Sequence, residues 1–418
     1  MEYRKIDKSS YNLHLIKTEN FKTIFFKFVF RDNIKKEDIT IRNFLTEILA
    51  SSSKKYPTTR FLSIRQEELY NLTMNFSNRR IGSQILSELC FSIIDSKYTD
   101  EQSLEESIAF MADIIFNPNI ENNLFNEKMF NITYDYLKER IEELKNNPDY
   151  YAESSIKQIM CKDNAFSFNL TGYMNDLEKI TRENLTEYYY NFINKNILDI
   201  FVVGNIDFYE IEKLIDKYIV LKVLKKPKKQ IQNYYESNRK RAKMVQEESN
   251  FSQSKLLIGC QIKNPTEKER KYTAVLYNMI LGNSPESKLF KNIREKKSLA
   301  YDVSSSYYKN DNIILIKTGI NKNSYEDALK GIKKEIKDIT LGKFSMSHLD
   351  NCKTLIKSLL NEFTDYQGSI AEYYFSLEYL DQDTINIKEK MIDSITKDDI
   401  INVSKKVVID TIYFLKEK

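Results

Sequence analysis

Apolar and polar residues follow two periods along the chain, and each change of period marks a change of element. Residues 13–16 and 23–30 are short apolar runs rich in aromatic and β-branched side chains, which predicts strands. From 39 to 50 the period becomes helical. Ile41, Phe44, Leu45, Ile48 and Leu49 recur at i, i+3, i+4, i+7 and i+8 and form one apolar face. Strands are expected at 72–76 and 84–94, then helices at 104–116 and 124–144. The second helix should end before Asn146-Asn147-Pro148, because the residue preceding proline is pushed out of the helical region. Later, a strand at 255–262 and a helix ending at Leu281 precede strands at 299–307 and 313–320 and helices at 325–339 and 347–363. Strands followed by runs of helices predict an α+β chain, each half a mixed, mostly antiparallel sheet with helices packed on one face.

Two segments repeat. Ile180-Thr181-Arg182-Glu183-Asn184-Leu185 opens a helix leading to a strand at 199–203, and Ile395-Thr396-Lys397-Asp398-Asp399-Ile400 opens another leading to a strand at 410–414. In both, threonine is placed to cap the helix and an acidic residue sits where the helix dipole favours it. The segments lie 215 residues apart, about half of the 418-residue chain. This predicts duplication: homologous halves at 1–220 and 244–418, joined by 221–243. That connector carries Pro227 and a Lys/Arg cluster without the apolar periodicity of a surface-binding helix, so it reads as a solvated linker.

Composition narrows the function classes. Lys and Arg number 64 and Asp and Glu 60, a net charge of +4, which removes a strongly basic nucleic-acid binder. The four cysteines, Cys90, Cys161, Cys260 and Cys352, form no C-x-x-C pair and read as reduced thiols. No apolar stretch has the length of a signal peptide or a membrane span, so a soluble, cytoplasmic protein without a membrane partner is expected. There are two histidines, His14 and His348, and neither lies in a metal motif.

Two segments could carry chemistry. Opposite the apolar face of the helix at 39–50, Asn43, Thr46 and Glu47 fall at i, i+3 and i+4 and could converge on one point, but they are poor zinc ligands. The second segment runs LGNSPESKLFKNIREKKSLAYDVSSSY from Leu281. Gly282 is placed to end a helix, and Ser284-Pro285 to cap the next one. Arg294 then lies near the end of that short helix, and Tyr301 in the strand beyond, sharing a face with Leu299 and Val303. A guanidinium and a phenol held close together could donate hydrogen bonds to a carbonyl oxygen as charge develops on it. The plainer alternative is a helix-terminal arginine and a core tyrosine.

This last segment resembles the second-half motif of the pitrilysin/insulinase-type metallopeptidases, the inverzincins, in their processing-peptidase-like branch. There a turn leads to S-x-L-F and R-E-K-x-x-L-A-Y, and the Arg/Tyr pair, here Arg294 and Tyr301, contacts substrate carbonyls. Segments 113–118, 202–205 and 255–260 follow in family order. The resemblance implies a clam-like pair of α+β halves. It also implies a lost metal centre. Where the family has H-x-x-E-H, this chain reads Asn43-Phe44-Leu45-Thr46-Glu47, and the third ligand position falls on Arg140.

Metal motif erased and Arg/Tyr pair kept is the pattern of the non-catalytic subunit in two-chain bacterial peptidases. The resemblance therefore implies no zinc in this chain, an H-x-x-E-H-bearing homologous partner that holds it, and a peptide substrate. In some such pairs that substrate is the leader of a ribosomally made, modified peptide. A scaffolding subunit and a peptide-presenting module remain alternatives.

Overall fold

The computed structural model of the chain describes residues 1–221, 231 and 233–418; residues 222–230 and 232, most of the basic stretch of the expected linker, lie outside the described residues. The strands are β1 (Glu2–Asp7), β2 (Asn12–Lys17), β3 (Thr23–Asn33), β4 (Thr73–Ile81), β5 (Gln84–Ile94), β6 (Ile120–Glu121), β7 (Leu124–Phe125), β8 (Ile197–Gly204), β9 (Lys243–Ser249), β10 (Ser254–Ile262), β11 (Asp302–Tyr308), β12 (Ile313–Ile320) and β13 (Val407–Glu417). The helices up to the expected linker are α1 (Ile39–Ser51), α2 (Thr59–Glu68), α3 (Ser103–Phe116), α4 (Glu127–Lys145), α5 (Pro148–Met160), α6 (Met174–Leu177), α7 (Arg182–Lys195) and α8 (Phe208–Tyr218). Those after it are α9 (Ala274–Leu281), α10 (Tyr325–Thr340), α11 (Met346–Asn361), α12 (Gln367–Tyr379), α13 (Ile385–Asp393) and α14 (Lys397–Ser404). None is long and apolar enough to cross a membrane.

Each half is an α+β unit on a mixed, mostly antiparallel sheet. The first sheet has the order β1-β2-β8-β3-β5-β4, with β2 and β8 parallel and all other neighbours antiparallel. The second has the order β11-β12-β10-β13-β9, with only β13 and β9 parallel. Reading β2-β8-β3-β5-β4 beside β9-β13-β10-β12-β11 gives the same order with the parallel pair in the same place. The duplicated capping segments have the same local geometry too. Thr181 with Asn184 and Thr396 with Asp399 form reciprocal capping boxes before α7 and α14.

The compact units are not contiguous in sequence. One comprises Met1–Glu142, Asn169–Ile231 and Phe363–Leu380, the other Glu143–Phe168, Gln232–Glu362 and Asp381–Lys418. The alternation of side chains along the central strands supplies the reason. In β3, Phe26, Phe28 and Phe30 point into a core with α1, α3, α4, α7 and α8. Phe25 and Val29 point the other way and, with Ile16, Phe201 and Val203, pack against Ile370, Ala371 and Phe375 of α12. The second sheet repeats this plan. Leu256 and Ile258 face α9, α10, α11 and α14. On the other side, Leu257, Leu315 and Tyr413 pack on Ala152 and Ile156 of α5. Gly259 of β10 permits that approach, since a Cβ there would stand 2.4 Å from the Met160 sulfur. The helices expected on one face of each sheet are thus joined by a single helix on the opposite face, because strands apolar on both sides need cover on both.

The α12 face of the first sheet also buries charge. Asp199, fully buried in β8, accepts hydrogen bonds from Arg31 Nε at 2.6 Å, Asn12 Nδ2 at 2.5 Å and the Tyr379 hydroxyl at 2.6 Å. The Arg31 guanidinium lies 3.9 Å from the centroid of the Tyr379 ring. Beside them, Lys27 and Arg79 share Glu88 of β5 and Glu372 of α12. Burial opposes ionisation of Asp199, but the contacts from His14, Arg31 and Asn12 outweigh it and hold the carboxyl well below the usual carboxylate range.

A depressed carboxyl contributes stability above its unfolded-state pKa and loses it as the pH falls toward the folded one. Urea midpoints should therefore drop on acidification below about pH 5, and Asp199→Asn should flatten that slope. Arg31→Met, which leaves the buried carboxylate without its cation, should cost about 3–5 kcal/mol at neutral pH. An unchanged midpoint in Arg31→Met would show that the ion pair contributes nothing.

Candidate functional site

The Arg/Tyr segment begins where α9 ends at Gly282, as expected. Ser284-Pro285 does not cap the next helix. It forms a turn, and the helix opens later, with Lys291 N–H donating to the Ser287 carbonyl at 2.9 Å. Phe290–Glu295 then winds as a wide π-type turn in which Lys296 N–H reaches back to the Lys291 carbonyl at 3.1 Å. Leu289 and Ile293 are buried, one turn apart. Glu335 of α10, itself buried, pins the polar side by bonding Lys288 at 2.9 Å and Asn292 at 3.0 Å. This leaves Arg294 exposed, its guanidinium 4.8 Å from the Phe290 ring centroid.

Tyr301 does not share the buried face of Val303. It precedes β11, tied by its N–H to the Gly319 carbonyl at 2.9 Å, and its side chain is 56% exposed. Its hydroxyl donates to Asn321 Oδ1 at 2.7 Å. Both residues thus face solvent, each on its own support. Asn321 and Glu335 carried no signal in the sequence, because their partners are set by sheet register and helix packing.

The metal-motif positions lie in the first unit. Asn43 and Thr46 do converge, but on a protein amide. Asn78 of β4 donates to Asn43 Oδ1 at 2.8 Å and to Thr46 Oγ1 at 2.9 Å, while Asn43 Nδ2 donates to the Leu170 carbonyl at 2.7 Å. Ser87 and the buried Arg42 continue this network to the Phe30 carbonyl and Asn196. Glu47 turns instead to α4, where Arg140 Nη1 donates to its Oε1 at 2.7 Å. The two positions matched from opposite ends of the motif are neighbours, and their charges cancel. An amide, a hydroxyl and a carboxylate already held by a guanidinium do not fit zinc. Among the described residues no group of three or more His, Cys, Asp or Glu side chains gathers as a metal site requires. His14 is buried in the first unit, stacked on Phe201 at 4.2 Å, and His348 belongs to the second.

Comparison with known proteins agrees with this geometry. The family profile described as the peptidase M16 inactive domain matches residues 179–356. The probable inactive metalloprotease YmfF of Bacillus subtilis is 29% identical over 408 residues, covering 96% of this chain and 95% of that protein. Over nearly its whole length the chain is similar to M16 peptidases, and among them to members described as inactive. A conserved Enterococcus faecalis protein of 26% identity superposes with a TM-score of 0.91 over 100% of this chain and 99% of its own. An M16 inactive domain from Pseudomonas fluorescens shares the fold, with a TM-score of 0.77 at 13% identity over 100% of this chain and 98% of that one. In this chain Arg140 supplies the positive charge that compensates the partly buried Glu47 carboxylate.

Burial raises the Glu47 carboxyl, and Arg140 pulls it only part of the way back. A raised carboxyl costs stability when ionised, and the cost vanishes as falling pH protonates it. Arg140→Ala should raise it further and destabilise the protein by up to about 1 kcal/mol at neutral pH, both groups being partly exposed. That difference should close below about pH 4 and be recovered by adding Glu47→Gln. A destabilisation independent of pH would mean that Arg140 acts through packing alone.

Proposed function

We propose that the chain is the zinc-less subunit of a two-chain M16 peptidase. It pairs with a homologous subunit bearing H-x-x-E-H and offers Arg294 and Tyr301 to the backbone carbonyls of the peptide being cut. The observation that carries this reading is the exposure of both side chains in a unit whose neighbouring residues, Leu289, Ile293 and Val303, are buried. A helix-terminal arginine and a core tyrosine would be expected to turn inward or onto their own backbone. These two are instead exposed: the Arg294 guanidinium rests by the Phe290 ring, and the Tyr301 hydroxyl donates to Asn321 Oδ1, a bond it would exchange for one to a substrate carbonyl.

The chemistry suits the pair. Hydrolysis of a peptide bond builds negative charge on the carbonyl oxygen, and donors already oriented toward it need no reorganisation at that moment. The phenol of Tyr301 and the guanidinium of Arg294 both donate, and the guanidinium adds charge. The substrate in this reading is a peptide, and by resemblance to two-chain bacterial peptidases, the leader of a ribosomally made, modified peptide. The four free cysteines, three of them buried, suit a reducing, cytoplasmic setting.

In a co-purified complex with the H-x-x-E-H partner, Arg294→Ala and Tyr301→Phe should leave folding and association intact. Turnover should fall by about 10²–10³ for each donor removed. Full peptidase activity in both variants would make this chain a scaffold instead.

A further inference from the structure

A cavity of about 190 Å³ lies in the second unit, bounded by the wide helical turn Glu269–Thr273, α9, α11 and α13. Its lining includes the apolar side chains of Val275, Ile356, Leu360 and Ile392. It also includes three lysines, Lys271, Lys309 and Lys388, and one carboxylate, Asp383. That carboxylate is already engaged, since the Tyr272 hydroxyl donates to it and Lys271 lies 3.7 Å away. Lys271 also has Glu267 at 2.7 Å and Asp381 at 3.2 Å. Lys309 and Lys388 have no ion pair or side-chain hydrogen bond among the described residues. Burial, and then the cations of Lys388, Lys271 and Arg270, push the Lys309 ammonium down to about 8. Burial lowers Lys388 as well.

Two unpaired ammonium groups drawn out of water beside an apolar wall destabilise a fold, and they are relieved by an anion. We propose that this cavity binds a small carboxylate with an apolar body, its carboxylate held between Lys309 and Lys388 and its hydrocarbon on Val275, Ile356, Leu360 and Ile392. Size limits the body. An apolar cavity of about 150 Å³ accepts benzene, so this one takes a single ring or a short branched chain rather than a long acyl chain. A free acid and the C-terminal residue of an apolar-ended peptide present the same chemistry.

Calorimetric titration of the full chain with 3-phenylpropanoate and with its neutral amide tests the proposal. The acid should bind, and the amide about 10- to 100-fold more weakly, the worth of a hydrogen bond to a charged group. Lys309→Met and Lys388→Met should each weaken the acid by a similar factor while raising the melting temperature of the free protein. A merely structural lysine would not show that combination. Acetyl-alanyl-leucine with a free or an amidated C-terminus separates the two sources: tighter binding of the peptide acid identifies a peptide C-terminus, and tighter binding of phenylpropanoate a free acid. Equal binding of acid and amide, unchanged affinity in both variants, or no binding of either acid overturns it.

Discussion

A sheet whose strands are apolar on both faces has to be covered twice, and most of this architecture follows from meeting that need in each unit. The helices that come next to the strands in sequence cover one face. The opposite face takes a single helix from far along the chain, α12 on the first sheet and α5 on the second. The chain therefore alternates between the units instead of completing one before starting the other. Gly259 is part of this arrangement, because the close approach of Met160 leaves no room for a side chain on β10.

Covering the first sheet brings charge indoors. Lys27, Arg31, Glu88 and Asp199 lie on the face that α12 closes, and each is matched by hydrogen bonds or counter-charges. Removing one partner is far more damaging than the pair's net contribution, since it leaves an uncompensated ion in a poorly solvated place. The same rule applies to Glu47 and Arg140. Glu47 is partly buried and would be costly alone, so the guanidinium of Arg140 is a physical replacement for a bound cation.

The groups left over from these pairings are those offered to other molecules. Arg294 and Tyr301 are exposed, whereas Lys309 and Lys388 are drawn partly out of water with one shared carboxylate, Asp383, nearby. Neither arrangement stabilises the chain on its own. Both make sense where a ligand supplies an acceptor, a carbonyl for Arg294 and Tyr301 and a carboxylate for the two lysines.

Local chemistry was legible in the sequence. The helical period of Ile41 to Leu49, the apolar run Ile313–Ile316 that opens β12 and the two threonine caps each depend on neighbours a few residues away, and the observed elements follow them. The absence of paired histidines, and the Arg294/Tyr301 spacing that carries the family resemblance, are likewise properties of the chain alone. Contacts across long separations were not legible. Nothing near Tyr301 marks it as preceding its strand, because β11 starts where pairing with Gly319 begins. Periodicity within helices α5 and α12 cannot reveal which sheet they cover, because that is set by packing across long separations. The meeting of Glu47 with Arg140, of Asn78 with Asn43, and of Lys309 with Lys388 is decided by register and helix packing. The sequence by itself determined which elements form and which chemistry is missing, since both rest on residue identity and short-range periodicity; only the tertiary structure decided which charges meet, because that depends on distances between residues that chain order does not constrain.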